Sequence, residues 1–201
     1  MENLIKARAV LDRDTYSHED IKKAFEEHGN IVSDIRDAII TSQRIILDSG
    51  ERREFETGAV RDIQEGKGRC DLMPLWVIGC ITEDAILMEI ERFKETGEID
   101  ILVEVVKNFS CGNYDDMYTM FLEVSKHFEE GAKKYGENNW QKGIPTKHYI
   151  DSGVRHYLKH LRGDQDEPHD RAFVWNMICC MWTIVNKPEL DSYRKEEENA
   201  N

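Results

Sequence analysis

Three stretches in the second half of the chain set acids, histidines and cations at spacings that suit phosphate or metal chemistry. The first holds His127, Glu129, Glu130, Lys133 and Lys134. Glu130 and Lys134 are one helical turn apart and share a face, which fits a surface ion pair as well as a reacting centre. The second is Asp151-Ser-Gly-Val-Arg-His156, with Asp151 and Arg155 four apart. Gly153 in mid-helix costs about 1 kcal/mol relative to Ala, which suits a point where another helix or a ligand comes close. An acid near a helix start is also favoured by the dipole, and His156 reads equally well as an ordinary polar-face residue. The third is Asp164-Gln-Asp-Glu-Pro-His-Asp-Arg171, leading into an apolar run that contains Asn176. Glu167 and Asp170 stand three apart at a helix opening, where the dipole alone would explain them. Asn176 follows His169 by seven residues and so falls near the same face. A buried amide needs partners, so Asn176 reads either as a group that orients a ligand or as a satisfied core amide.

Taken together, these stretches offer several carboxylates and histidines from three helices. Magnesium and manganese favour oxygen ligands and keep waters and substrate phosphates around them. Carboxylates on facing helices of a bundle are one way to build such a site. An ion held there would neutralise phosphate charge and lower the pKa of a bound water, which suits hydrolysis of a phosphoanhydride. Lys134 and Arg155 stand on the same helices and could stabilise charge that develops in the reaction.

Helical periodicity dominates the elements that must position these groups. Residues 18–48 carry apolar residues at three- and four-residue steps, interrupted at Gly29, and predict one helix or two. Residues 51–71 are charged and punctuated by Gly58, Gly66 and Gly68, and predict a loop. Pro74 opens a helix, and Thr82-Glu-Asp-Ala starts another that Gly97 ends. Further helices are expected over 99–109, 114–135, 146–161 and 168–186, with a loop over 136–145. No alternating strand pattern and no internal repeat stand out. The tail from Asp191 is polar and acidic and is expected to fray. The fold class is all-α: a helical bundle with a long polar loop ahead of its core.

Bulk properties narrow the function classes. The formal net charge is −13 over 201 residues, with 33% charged and 40% apolar residues. A duplex-binding protein would present a basic face, so a bulk nucleic-acid binder is not expected. No run approaches the ~18 apolar residues of a membrane span. The amino-terminal residues lack the layout of a secretion signal. The five cysteines are odd in number and contain no Cys-x-x-Cys pair, which predicts reduced thiols in a cytoplasm rather than disulfides or structural zinc.

The runs Glu130-Gly-Ala-Lys-Lys-Tyr-Gly-Glu-Asn-Asn-Trp-Gln-Lys-Gly-Ile-Pro145, Asp151-Ser-Gly-Val-Arg-His156, Gly163-Asp-Gln-Asp-Glu-Pro-His169 and Trp175-Asn176 resemble a phage-enriched family of dATP/dGTP diphosphohydrolases. Upstream, Thr57-Gly-Ala-Val-Arg-Asp62 and Glu65-Gly-Lys-Gly-Arg-Cys-Asp-Leu-Met-Pro74 are similar to that family's N-terminal signature, with Cys70 where Phe is more usual. The likeness covers about 54–76 and 124–182. It implies a helical extension over 1–50, a hydrolase domain over 51–188 with an insertion about 80–115, and a polar tail over 189–201.

The family in turn resembles MazG-like all-α pyrophosphatases, helical oligomers that cut a dNTP into dNMP and pyrophosphate with Mg²⁺ on Glu-x-x-Glu and Glu-x-x-Asp helices. Glu167-Pro-His-Asp170 fits the second element, whereas Lys133 stands where the first would place its second acid. The resemblance implies a nucleotide substrate, a homo-oligomer and Mg²⁺ or Mn²⁺ held by Glu130, Asp151, Glu167 and Asp170. Glu130, Lys134, Arg155 and His156 would be the catalytic groups. His156 and His169 would stand beside the metal or touch phosphate, and Lys67, Arg69, Lys134 and Arg155 would meet phosphates. Asn139, Trp140 and Asn176 would shape the base or sugar pocket. Because the first acidic pair is incomplete, a nucleotide-sequestering protein without turnover is the alternative.

Overall fold

The computed structural model describes residues 50–194. The expected helices over 18–48, and with them the helical extension, lie outside the described residues. Six helices follow one another: α1 (Leu75–Thr82), α2 (Ala85–Thr96), α3 (Ile99–Asn113), α4 (Met117–Tyr135), α5 (Thr146–Arg162) and α6 (His169–Asn186). The all-α class read from periodicity holds. Helix starts follow local chemistry, since Asp84 and Asp116 cap α2 and α4 by accepting from Leu87 N and Thr119 N. The helix expected over 99–109 runs on to Asn113, whose side chain donates to the Phe109 carbonyl at 2.8 Å.

Helix α6 is the axis of the bundle. Phe173, Val174, Met177, Cys179 and Cys180 are buried around it, as expected of a helix that is apolar on most faces. It packs most extensively on α5. Gly153 makes this approach possible, because a Cβ there would lie 3.3 Å from Asn176 Cβ and closer still to the Met177 methyl. The two openings left by the sequence at Gly153 therefore resolve in favour of a neighbouring helix. Phe109 of α3 meets Phe173 edge-on at 4.8 Å and ties a third helix to this pair.

The loop expected over 51–71 is a correction. Arg52–Glu54 (β1) and Val60–Asp62 (β2) form an antiparallel hairpin with Arg52 opposite Asp62, Arg53 opposite Arg61 and Glu54 opposite Val60. A short 3-10 turn follows at Cys70–Leu72, and another lies at Asn139–Lys142 inside the second expected loop. Three-residue strands are too short to display a period of two, so their sequence resembles a loop. The hairpin is fixed by distant partners. The Asn139 side chain accepts from Val60 N at 2.9 Å and donates to Val60 O at 2.7 Å, and Thr57 donates to the Gly143 carbonyl.

The chain after α6 also differs from expectation as far as Arg194. Ser192 N donates to Thr146 Oγ1 at 2.7 Å, and the Tyr193 ring lies edge-on to Phe93 at 5.4 Å. Gly97, at φ 75°, admits the Tyr193 carbonyl where a Cβ would stand 2.8 Å from it. No described helix is long and apolar enough to cross a membrane.

Candidate active site

The hairpin, the segment that follows it and the helices α4, α5 and α6 enclose a cavity of about 960 Å³. This is the upper range of pockets that take a drug-sized or nucleotide-sized ligand. Phe128, Trp140 and Trp175 line one side, and Phe128 meets Trp140 at 5.4 Å and Trp175 at 5.9 Å. Arg53, Arg61, Lys67, Arg155 and Lys159 also line it, together with His156 and Glu167. Asp62, Glu129, Glu137, Asp151, Asp166 and Glu167 line the same cavity, so its wall carries both signs of charge.

Arg53 and Arg61 sit directly opposite each other across the hairpin. Like charges in that relation destabilise a strand pair unless other groups compensate. Here Arg53 donates to Gln64 at 2.8 Å, and Arg61 donates to Asn176 Oδ1 at 3.0 Å and to the His148 carbonyl at 3.2 Å. The Arg61 guanidinium also lies 5.3 Å from the Tyr149 ring centre and 5.7 Å from that of Trp175. Asn176 completes its bonding by donating to the Ala172 carbonyl at 2.8 Å. It is a satisfied amide that aims Arg61, one of the two readings its position left open.

Asp151 is buried and serves as an anchor for the segment after the hairpin. It accepts from Cys70 N and from Gln64 at 2.7 Å each, and from Arg155 one turn along α5. Arg155 also donates to the Lys67 carbonyl at 3.1 Å, so α5 holds that segment against the cavity. Asp62 is a second anchor, accepting from Arg52, from Tyr135 and from Lys134 at 2.8 Å. Lys134, expected to meet phosphate, is thus buried against Asp62. Arg69 pairs with Asp71 and does not line the cavity. Asn139 lines it but spends its amide on Val60. Trp140 lines the cavity beside Phe128.

The four acids expected to surround a metal do not converge. Glu130 pairs with buried Arg171 at 2.6 Å, which joins α4 to α6. Asp170 accepts from the Tyr114 hydroxyl at 3.0 Å. Only Glu167 belongs to a compact ligand group. Among the described residues, His156, Glu167 and His169 form one such group and Asp164, Asp166 and His169 another, each with ligand atoms within 4.8 Å. His156 Nδ1 and His169 Nδ1 are 2.9 Å apart, while Asp166 Oδ1 lies 2.7 Å from His169 Nε2.

Burial keeps the imidazoles around the cavity neutral. Desolvation, then the neighbouring His169 and His127, push His156 well below the ordinary histidine value. Desolvation with Arg53 and Arg61 lowers His148 to about 4, and desolvation with Arg171 lowers His127 to about 3. Sequence reading had assigned no role to Arg53, Arg61, Gln64 or His148. Arg53 stands in a charged stretch where nothing local distinguishes it from solvated charge, whereas Arg61 falls within the Thr57–Asp62 run that resembles a family signature.

An all-α domain with a large cavity lined by aromatic rings and by charges of both signs, beside a short hairpin, is the class that these features define. Residues 105–193, from mid-α3 to the chain beyond α6, match the family described as dATP/dGTP diphosphohydrolase, N-terminal. The matched segment contains Glu130, Asp151, Glu167 and Asn176, whereas the hairpin and Lys67 precede it. No curated protein and no solved structure matches the chain.

Proposed function

We propose that the chain hydrolyses a deoxynucleoside triphosphate to the monophosphate and pyrophosphate, with a divalent cation, Mg²⁺ or Mn²⁺ in the simplest case. The observation that carries this reading is the paired Arg53 and Arg61 with Lys67, Arg155 and Lys159 in one cavity, beside an aromatic wall. The family name supports a purine deoxynucleotide as the first substrate to try.

In this reading the aromatic wall takes the base, since Trp140, Phe128 and Trp175 offer ring faces and exclude water. Arg53, Arg61 and Lys67 neutralise the phosphate chain. Asn176 and the His148 carbonyl orient Arg61 before substrate arrives, so little reorganisation is needed at the moment of reaction. Arg155, held by Asp151 and by the Lys67 carbonyl, keeps the 64–70 segment closed over the phosphates. Glu167 together with the substrate phosphates would hold the cation, which supplies charge neutralisation and a more acidic bound water. Water adds across the α–β anhydride, and the monophosphate and pyrophosphate separate.

Incubating the purified chain with each dNTP and Mg²⁺ or Mn²⁺, then resolving the products, tests the reading. Equal yields of dNMP and pyrophosphate from dATP or dGTP are expected. No pyrophosphate from any nucleotide would end it. Tight, metal-independent binding without turnover would favour the nucleotide-sequestering alternative.

A further inference from the structure

We propose that His156, His169 and Glu167 form a site for one transition-series divalent cation, Co²⁺ or Zn²⁺ in preference to Mg²⁺. The inference rests on the hydrolase reading only for what the ion would do there, because the site itself follows from geometry. Two atoms bound to one ion at about 2.1 Å can lie no more than about 4.2 Å apart. The three ligand atoms meet that limit. His156 Nδ1 and His169 Nδ1 are 2.9 Å apart, and Glu167 Oε1 is 3.9 Å from the first and 4.0 Å from the second.

The orientation of His169 is fixed from its other side. Asp166 Oδ1 sits 2.7 Å from Nε2, so Nε2 carries the proton and Nδ1 turns its lone pair toward His156. A carboxylate behind a histidine is how proteins set the tautomer of a metal-binding imidazole and raise its basicity. His156 can then either donate to His169 or turn its own lone pair to the same point, the second arrangement being stable only around a cation.

The rival groups are committed elsewhere. Asp164 and Asp166, the alternative partners of His169, pair with Arg162 and with Lys159. Two imidazoles and one carboxylate suit zinc, cobalt or nickel, whereas Mg²⁺ prefers an all-oxygen octahedron and keeps its waters. His156 and Glu167 stand on the cavity wall, which leaves coordination positions open toward a bound phosphate.

The test uses untagged full-length protein stripped with a chelator, titrated with CoCl₂ in the absence of nucleotide, and followed by visible d–d absorption. Equilibrium dialysis against ZnCl₂ and MgCl₂ runs in parallel. About one cobalt or zinc per chain is expected, displaced by Mg²⁺ only at concentrations at least about 100-fold higher. His169→Ala and Glu167→Gln should each weaken cobalt binding by about 10–100-fold or more. His169→Asn guards against misfolding of the alanine variant, with circular dichroism and melting recorded for each. Asp170→Asn should leave cobalt affinity unchanged. Absence of cobalt binding, equal affinity for Mg²⁺, retained affinity in the His169 variants, or loss in Asp170→Asn alone would each overturn the proposal. Cobalt binding without dNTP hydrolysis would leave the site standing and remove the hydrolase reading. Hydrolysis with Mg²⁺ alone and no cobalt binding would do the reverse.

Discussion

Helix α6 makes two polar contacts near its start that look alike in sequence and differ in kind. At Arg171 it meets Glu130 of α4, and the acid is answered by a cation of the chain itself in a largely buried pair at 2.6 Å. Two residues earlier, His169 meets His156 of α5 with Glu167 alongside, and three groups that share the ability to bind a cation converge. One contact closes a bundle, and the other suits a ligand. Acid spacing alone marks Glu130 and Glu167 as equivalent, and what separates them is the residue that tertiary packing puts opposite each.

The strongest way to break that contrast is to remove Arg171. Arg171→Ala leaves Glu130 without this partner between α4 and α6 and should cost about 3–5 kcal/mol of stability. Chemical denaturation measures it, and a loss under about 1 kcal/mol would mean that the pair is not structural. Ion binding at the His156 cluster should survive wherever the variant remains folded.

Acid should act next, through the cavity wall. His148 and His127 have folded values of about 4 and about 3 against 6.5 for the ordinary side chain, so the unfolded chain binds protons first. Stability from His148 is therefore present above pH 6.5 and is lost as pH falls toward 4. His148→Phe should flatten that limb relative to the parent chain in denaturation curves at several pH values. An unchanged slope would refute the assignment.

The smallest expected effect concerns the phosphate end. Lys67→Ala should raise KM for the nucleotide about tenfold or more, equivalent to roughly 1.5–3 kcal/mol for a charge-assisted contact. Its melting temperature should not move, because the segment is held through the Lys67 carbonyl rather than its ammonium. A fall in melting temperature matching the loss of activity would place Lys67 with Arg171, among the groups that hold the fold.

Much of the scaffold was legible in the chain. Pro74, Asp84, Gly97, Asp116, Gly136 and Gly163 punctuate helices by local rules, and the apolar steps of α4 to α6 need no partner to be read. The segment over 51–71 was not legible. Its order comes from Asn139 on Val60, Asp151 on Cys70 and Gln64, and Asn176 on Arg61, partners about 80 to 115 positions away. Trp140, Glu167 and Arg155, singled out in the sequence, line the cavity. The engagement of Glu130 by Arg171, of Lys134 by Asp62 and of Asp170 by Tyr114 was not.

The sequence by itself determined the helical class and the order of the helices. These follow from periodicity, capping and spacing, which act within a few residues. Only the tertiary structure decided which charges are answered by the chain and which converge on a ligand site. An ion pair or a cluster of ligand atoms depends on side chains brought together from separate helices, and no local pattern records which partner each will meet.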